Sequence, residues 1–338
     1  MPDVKAAGAD AGGLPFRRRV LIIYNPTAGI ASARRAQRVL KTLLKMGAVV
    51  TLRRTARRGD AEAFASEASQ AMFDVVVAAG GDGTINEVVN GLAGTALPLA
   101  VIPLGTANVL AAEIDLPRRA RDLARMILSG KTRAVCIGVA NQRHFIMMAG
   151  AGFDAHLVAH VDPRVKRVLG KAAYVLEALR GMFRFAYPTY RVTIDGIPWT
   201  AASVIVANGH YYGGRFICAP DACLEDHTFE VCLFLSAGRL AVLRYGLALV
   251  RRRLHRLADF RIIRGASVTI ETDSGALAQP SGDEPVQLDG DIGCRLPLTI
   301  RPASQSLLLI CGREGPATVR RIVPALSFAT RRLVPARP

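Results

Sequence analysis

The chain has no C-x-x-C pair. Its six cysteines, Cys136, Cys218, Cys223, Cys232, Cys294 and Cys311, lack zinc-ligand spacing. Most sit among apolar neighbours, as in Val231-Cys232-Leu233, so reduced core thiols in a cytosolic protein are expected rather than disulfides. No G-x-x-x-x-G-K-[ST] occurs, which excludes a P-loop. Aromatic residues are only 6% with a single Trp, and no aromatic-rich stripe or nucleic-acid motif is present, so no nucleic-acid partner is expected. The longest uncharged run, residues 88–112, is interrupted by Gly91, Gly94, Pro98, Pro103, Gly105 and Asn108. Those residues divide it into helix end, strand and loop, so it is not a membrane span. The apolar run at 20–24 is too short for a signal-peptide core. Acidic residues are also scarce: 27 against 44 basic ones, a net charge of +17. Such an excess by itself favours an anionic partner: nucleic acid, an anionic bilayer or phosphates. Half of the 338 residues are hydrophobic, enough for two globular domains with separate cores.

What the chain does have is centred on Gly80-Gly81-Asp82-Gly83-Thr84-Ile85-Asn86. Before it runs Asp74-Val75-Val76-Val77-Ala78, a β-branched stretch of strand type. After it, Thr84 and Glu87 stand three apart, a capping-box spacing that predicts a helix starting at Thr84. Strand, glycine turn and helix N-terminus together suit phosphate, because the helix presents unpaired N–H groups and a partial positive charge. Asp82 would repel phosphate, so its carboxylate is expected to work through a metal, a metal-bound water or a hydroxyl.

On either side the pattern alternates. Residues 1–16 read as a disordered tail. A strand at 20–24 leads into Asn25-Pro26-Thr27-Ala28-Gly29, a second turn at a strand end. A helix is expected over 31–46 with Val39, Leu40, Leu43 and Leu44 inward, then a strand at 49–53. A loop from Thr55 opens the next helix, with Asp60 as N-cap. Strand 99–103 and a helix from about Ala107 follow. This alternation predicts a parallel, Rossmann-like α/β sheet over residues 17–134, with helices on both faces. From residue 135 short strands and turns dominate, which predicts an antiparallel β-sandwich over 135–312. A basic segment, 313–338, is left free to return to the first domain. Two helices interrupt the sandwich, at 165–185 and 240–257. In the second, Leu240, Leu243, Leu247, Val250, Leu254 and Leu257 recur at spacings of three and four and are expected to face inward. Arg244, Arg251, Arg252, Arg253 and Arg256 on its other faces are expected to be solvated or to meet lipid head groups.

Several separated motifs resemble the bacterial diacylglycerol kinase and sphingosine kinase-like lipid kinases. They are Asn25 to Gly29; Thr55 with Gly59-Asp60-Ala61; Gly80 to Asn86; Pro103-Leu104-Gly105-Thr106-Ala107-Asn108; Gly150-Ala151-Gly152-Phe153-Asp154-Ala155; Leu169-Gly170-Lys171; Asn208-Gly209 with Tyr211-Tyr212-Gly213-Gly214; Pro220-Asp221-Ala222; and Leu288-Asp289-Gly290-Asp291. NAD kinases and phosphofructokinases share the glycine loop. The resemblance implies a nucleotide domain of that type and a lipid-binding sandwich. It also implies a nucleotide site built from Asn25, Pro26, Thr27, Ala28, Gly29, Thr55, residues 80–86 and Thr106. A structural Mg²⁺ is implied on Asp226, with the carbonyls of Cys223 and Thr228; here His227 stands where the family has Gly. The proton acceptor is implied at Asp291, one methylene shorter than the family's Glu, with Asp289 as the neighbour able to stand in.

The resulting expectation is an ATP- and Mg²⁺-dependent kinase that phosphorylates a hydroxyl of a diacylglycerol-like, ceramide-like or sphingoid lipid. Asp82 would lie near the metal or the acceptor. The protein would be cytoplasmic and peripheral, on the inner, anionic face of a membrane, and a homodimer stays open. The rival expectations are an NAD kinase and a non-catalytic basic protein that binds membrane or nucleic acid.

Overall fold

Strand β1 (Arg19–Tyr24), β2 (Val49–Arg54), β3 (Val75–Gly80), β4 (Leu99–Pro103) and β5 (Lys131–Val135) belong to one six-stranded sheet. In the computed structural model, which describes residues 19–28, 30–161, 171–273 and 284–312, its order is β2-β1-β3-β4, then strand Leu307–Cys311, then β5. The first four are parallel. The apolar runs of β3 and β4 are buried on both faces, as inner parallel strands require, while β2 at the edge is mostly exposed. Along β3, Val75, Val77 and Ala79 join one apolar cluster and Val76 and Ala78 the other. Helices α1 (Ile30–Lys45), α2 (Asp60–Ser66), α3 (Asp82–Leu92), α4 (Val109–Glu113) and α5 (Ala120–Ser129) supply those clusters. Val39 and Leu43 of α1 pack with Leu123 and Ile127 of α5 on one side, and Ala61, Ile85 and Val89 of α2 and α3 on the other. Leu44, expected inward, is half exposed, because Val39 and Leu43 already fill the face toward the sheet.

The chain's route differs from the sequence reading at the boundary. Strand Leu307–Cys311, expected in the sandwich, lies in the first sheet, parallel to β4 and antiparallel to β5. A short apolar strand looks the same from either sheet, so composition could not assign it. The tail 1–16 and the basic segment 313–338 lie outside the described residues.

Among the described residues the second domain has two six-stranded sheets and a two-stranded ribbon, Tyr211–Tyr212 with Phe216–Ile217. One runs Ile197–Ala201, Tyr190–Ile194, Val268–Thr272, Leu298–Pro302, Gly138–Ala140, Arg143–Phe145. The other runs Phe260–Gly265, Phe229–Phe234, Ser203–Ala207, Met148–Ala151, Pro285–Leu288, Asp291–Arg295. Neighbouring strands in both sheets are antiparallel throughout. Their inner faces meet in a core that includes Phe145, Tyr190, Val204, Phe229, Val231, Val286 and Ile300. Ile146, Met147 and Met148 instead join the cluster that contains Val76, Leu110 and Ile114, so apolar packing is continuous across the domain seam. All six cysteines are free thiols.

Helices α6 (Phe153–His160), α7 (Lys171–Arg184) and α8 (Arg239–Val250) lie on the sandwich. Residues 165–170 of the helix expected over 165–185 lie outside the described residues. The helix expected over 240–257 is shorter, and only Leu254 of its leucine stripe is well buried. Leu240, Leu243, Leu247 and Val250 face out instead, while Ala241, Tyr245 and Ala248 are buried. The tyrosine hydroxyl decides this rotation. It accepts a hydrogen bond from the Ser236 N–H (3.1 Å) and donates toward Asp259, lying 3.0 Å from its carbonyl oxygen and 2.5 Å from Oδ2. The two alanines let the helix approach the sheet.

Candidate active site

The parallel registers bring four strand ends to one line. Tyr24 of β1 pairs with Arg54 of β2 and Ala79 of β3, and Gly80 pairs with Pro103 of β4. Ligands bind beyond such carboxyl ends. The Asn25 N–H donates to Ala79 O and the Thr55 N–H to Tyr24 O, both at 3.0 Å, so the expected loops leave the sheet side by side. Asn25 then organises its own turn. Its Oδ1 accepts the Thr27 N–H (3.0 Å) and hydroxyl (2.7 Å), and its Nδ2 donates to Thr84 Oγ1 (3.0 Å). Gly29 lies outside the described residues.

Helix α3 begins at Asp82, two residues earlier than expected, with Gly81 as its N-cap and no capping side chain. The expected capping box does not form. Glu87 instead accepts the N–H groups of Gly59 (3.0 Å) and Ala61 (3.1 Å), capping α2 from outside. With Glu87 there, Gly59 is the N-cap of α2, and Asp60 closes the preceding loop through the N–H groups of Ala56 and Arg57. These bonds hold the Asp60 carboxyl below its ordinary range. Gly81 and Gly105 meet backbone to backbone: a Cβ on Gly105 would lie 2.6 Å from the Gly81 Cα. This approach sets the 103–108 loop, with exposed Thr106, beside the first turn of α3.

Asp82 is turned into that contact. Its oxygens accept the N–H groups of Asn108 (2.9 Å) and Val109 (2.7 Å), so it caps α4 and locks the two loops together. In this structure it therefore positions the 103–108 loop and the start of α4. Ile85 packs in the core, and Asn86 faces the other domain, donating to His144 O (3.0 Å) and Asp289 Oδ2 (2.8 Å). Ile85 is enclosed, and Asn86 lies at the interdomain edge, among the residues that line the cavity beside Asp291. The groups gathered beyond the strand ends are Asn25, Thr27, Thr55, Gly80, Gly81, Gly83, Thr84 and Thr106.

The second domain contributes one hairpin. Strands Pro285–Leu288 and Asp291–Arg295 are joined by Asp289 (φ 51°) and Gly290 (φ 88°), both left-handed as a two-residue turn demands. The two acids flanking Gly290 have opposite settings. Asp289 is buried and accepts four N–H groups: Asn86 Nδ2 and Ile146 N (both 2.8 Å) on Oδ2, Met147 N (2.8 Å) and Met148 N (3.0 Å) on Oδ1. Burial raises its pKa against the pull of these donors. It latches the hairpin to α3 and is not available as the stand-in base. Asp291 reaches the first turn of α3: a Cβ on Gly83 would collide with its Oδ2. Only glycine allows that approach.

Around Asp291 is a cavity of about 180 Å³ between the domains, lined also by Arg58, Glu62, Gly83, Asn86, Glu87 and Arg143. Arg58 donates to Ile292 O (2.8 Å) from the loop after β2. Arg143 and Glu62 form a two-pronged pair at 2.8 Å, which holds the guanidinium pKa above its usual value. Another contact ties the two domains: buried Glu113 of α4 accepts the His210 N–H (3.0 Å) and lies 2.5 Å from its Nδ1. Sequence reasoning missed Arg58, Glu62, Arg143 and Glu113. Only Arg58 had a signal, its place between Thr55 and Gly59.

The loop expected to hold a structural cation is closed differently. Asp226 pairs with the Arg264 guanidinium, which also donates to Thr228 Oγ1 (2.8 Å), and the Cys223 carbonyl accepts the Asp226 N–H (3.0 Å). His227 has no left-handed φ. A carboxylate answered by a guanidinium and a carbonyl closing its own turn do not fit a resident Mg²⁺. Among the described residues no cluster of three His, Cys, Asp or Glu offers another site.

A glycine-turned helix at the mouth of a parallel sheet, met by an acid from a β-sandwich, defines a two-domain α/β–sandwich protein of the NAD kinase-like type. Residues 19–140 match the diacylglycerol kinase catalytic domain, and residues 147–311 match the YegS C-terminal NAD kinase beta sandwich-like domain. The chain is 32% identical to a protein of Bacillus subtilis named diacylglycerol kinase, over 83% of this chain and 92% of that one. It is 30% identical to a Yersinia enterocolitica protein named "Probable lipid kinase YegS-like", over 66% and 77%. A crystal structure of a Bacillus anthracis diacylglycerol kinase superposes with a TM-score of 0.66 at 22% identity, covering 88% of this chain and 98% of that one. The chain belongs to the diacylglycerol kinase-like lipid kinase family.

Proposed function

We propose that this protein is an ATP-dependent lipid kinase acting on a hydroxyl of a diacylglycerol-like, ceramide-like or sphingoid lipid. One observation carries the reading: Asp291 stands over the first turn of α3, where an acceptor hydroxyl and a terminal phosphate would have to meet. The phosphates would lie along the 80–84 turn and the Asn25–Thr27 turn, against helix N–H groups and the hydroxyls of Thr55 and Thr106. Arg58 is the nearby cation suited to the terminal phosphate. Mg²⁺ would arrive with the nucleotide and offset the charge of its phosphates. The acceptor oxygen attacks the γ-phosphorus, and the bond to the β,γ-bridging oxygen breaks. ADP leaves with that electron pair, and the hydroxyl proton passes to Asp291 and then to water.

The test is to incubate the purified protein with radiolabelled ATP, Mg²⁺ and separate diacylglycerol, ceramide, sphingoid base and phosphatidylglycerol samples, with NAD as the rival acceptor. Label is expected in a lipid and absent from NADP. Label in NADP alone, or wild-type turnover by Asp291→Ala, would overturn the reading.

A further inference from the structure

Helix α8 buries Ala241, Tyr245 and Ala248 on the sandwich and leaves an apolar stripe outside. Leu240 is 83% exposed, Leu243 57%, Leu247 48% and Val250 62%, and their spacing keeps them on one side of the helix. On α7, Leu179 and Phe183, one turn apart, are 51% and 68% exposed. The helices adjoin, since the Arg239 guanidinium lies 4.6 Å from the centre of the Phe183 ring. No described element covers these side chains. A contiguous apolar face of this kind marks an interaction surface.

Its rim selects the partner. Arg239 begins α8, and Arg251, Arg252 and Arg253 follow its end, all exposed; α7 adds exposed Arg180 and Arg184. Glu177, the acid of α7, is buried, and α8 contains none. The nearby Asp259 pairs with Arg244. An apolar stripe framed by arginines matches a bilayer's acyl region below anionic head groups. A second copy of the chain is a poorer match, because a two-fold contact would bring the same arginines face to face.

We propose that α7 and α8 form a docking face that inserts Leu240, Leu243, Leu247, Val250 and Phe183 into an anionic bilayer, with the flanking arginines at the head groups. The face adjoins the catalytic side. Helix α6 packs against both α7 and the strand that begins at Asp291. A cavity of about 260 Å³ opens there, lined by Gly152, His156, Arg184, Phe185 and Glu284 among others. Docking would therefore hold membrane lipid next to the hairpin that carries the acid. The docking does not depend on which lipid is phosphorylated.

The experiment is co-sedimentation of the full chain with vesicles of phosphatidylcholine alone or mixed with phosphatidylglycerol, at physiological salt. Wild type is expected in the pellet with the anionic vesicles only. A Leu240→Ser, Leu243→Ser, Leu247→Ser variant is expected to lose tenfold or more of that partitioning, with an unchanged melting temperature. Its turnover on a dispersed short-chain diacylglycerol is expected to be unchanged, so a failed docking and a failed kinase assignment separate. In a second variant, Leu243→Trp, the added Trp should shift its emission to the blue on anionic vesicles. Undiminished binding by the triple serine variant, or no blue shift, would overturn the proposal. So would a wild-type dimer that the serine variant dissolves while neither protein binds vesicles.

Discussion

Helices α3 and α8 both cross polarity with burial, in opposite directions. α3 encloses Thr84 and Asn86. α8 turns a row of leucines outward. Inside α3 every inversion is answered within the chain: Thr84 by Asn25, Asn86 by Asp289 and the His144 carbonyl. A buried polar group costs little once it is bonded. The leucines of α8 have no answer among the described residues. The first pattern therefore marks a seam that the protein closes for itself, and the second a surface completed from outside.

The comparison can be broken at several points. The largest effect is expected at Asp291. Asp291→Ala should lower kcat by about 10²–10⁴-fold with little change in melting temperature. Asp291→Glu, which restores the longer arm of the family's acid, should retain activity. Two residues earlier, Asp289→Ala should show the reverse emphasis. It strands four N–H groups and should cost about 3 kcal/mol or more of stability by denaturant unfolding. Gly83→Ala is predicted to displace Asp291 and reduce kcat by roughly 10- to 100-fold, while the fold keeps its stability or gains slightly from the better helix former. Equal losses of activity and stability in all three would erase the distinction between latch and base.

A smaller effect comes from His144, which lies on the same seam. Burial, then the neighbouring Arg143, holds its pKa below the usual 6.5. In that case the unfolded chain binds the proton first as pH falls. His144 therefore contributes stability above about pH 6.5 and loses it on acidification toward its folded pKa. The drop in melting temperature between pH 7 and pH 5 should be smaller in His144→Gln. The smallest effect belongs to α8. Leu240→Ser with Leu243→Ser should change stability by only about 0.5 kcal/mol per site, because the side chains are already in water. A large loss would mean that the stripe is internal packing.

Much of the first domain was legible. Val75 to Ala78, the glycine turn and the strand at 99–103 give the parallel sheet, and Gly80 to Gly83 lie where they were expected. The sequence could not show how a side chain would be shared. Thr84 and Glu87 have the spacing of a capping box, yet Glu87 serves a helix that packs alongside α3. Asn86 closes the nucleotide motif, yet its side chain bonds to the opposite domain. Asp289 and Asp291 look equivalent beside Gly290; the left-handed turn tells them apart, folding Asp289 onto the N–H groups of residues 146–148 while Asp291 opens the next strand beside Gly83. For α8 the period was clear and the direction was not. A 3.6-residue repeat identifies a stripe but does not say which side of the helix meets the sheet. Tyr245 decided that, with one hydroxyl.

The strand Leu307–Cys311 has a consequence for assembly. It fills the gap between β4 and β5, so the nucleotide half of the molecule is finished by nearly the last described stretch of polypeptide. A ribosome would have to release the whole sandwich before that gap could close, and a fragment cut after β5 would leave two strands without their shared neighbour. The chain also crosses from one half to the other twice, outward after Val135 and back before Leu307. A double tether of this kind restrains twisting between the halves and leaves opening and closing of the cleft as the easier motion.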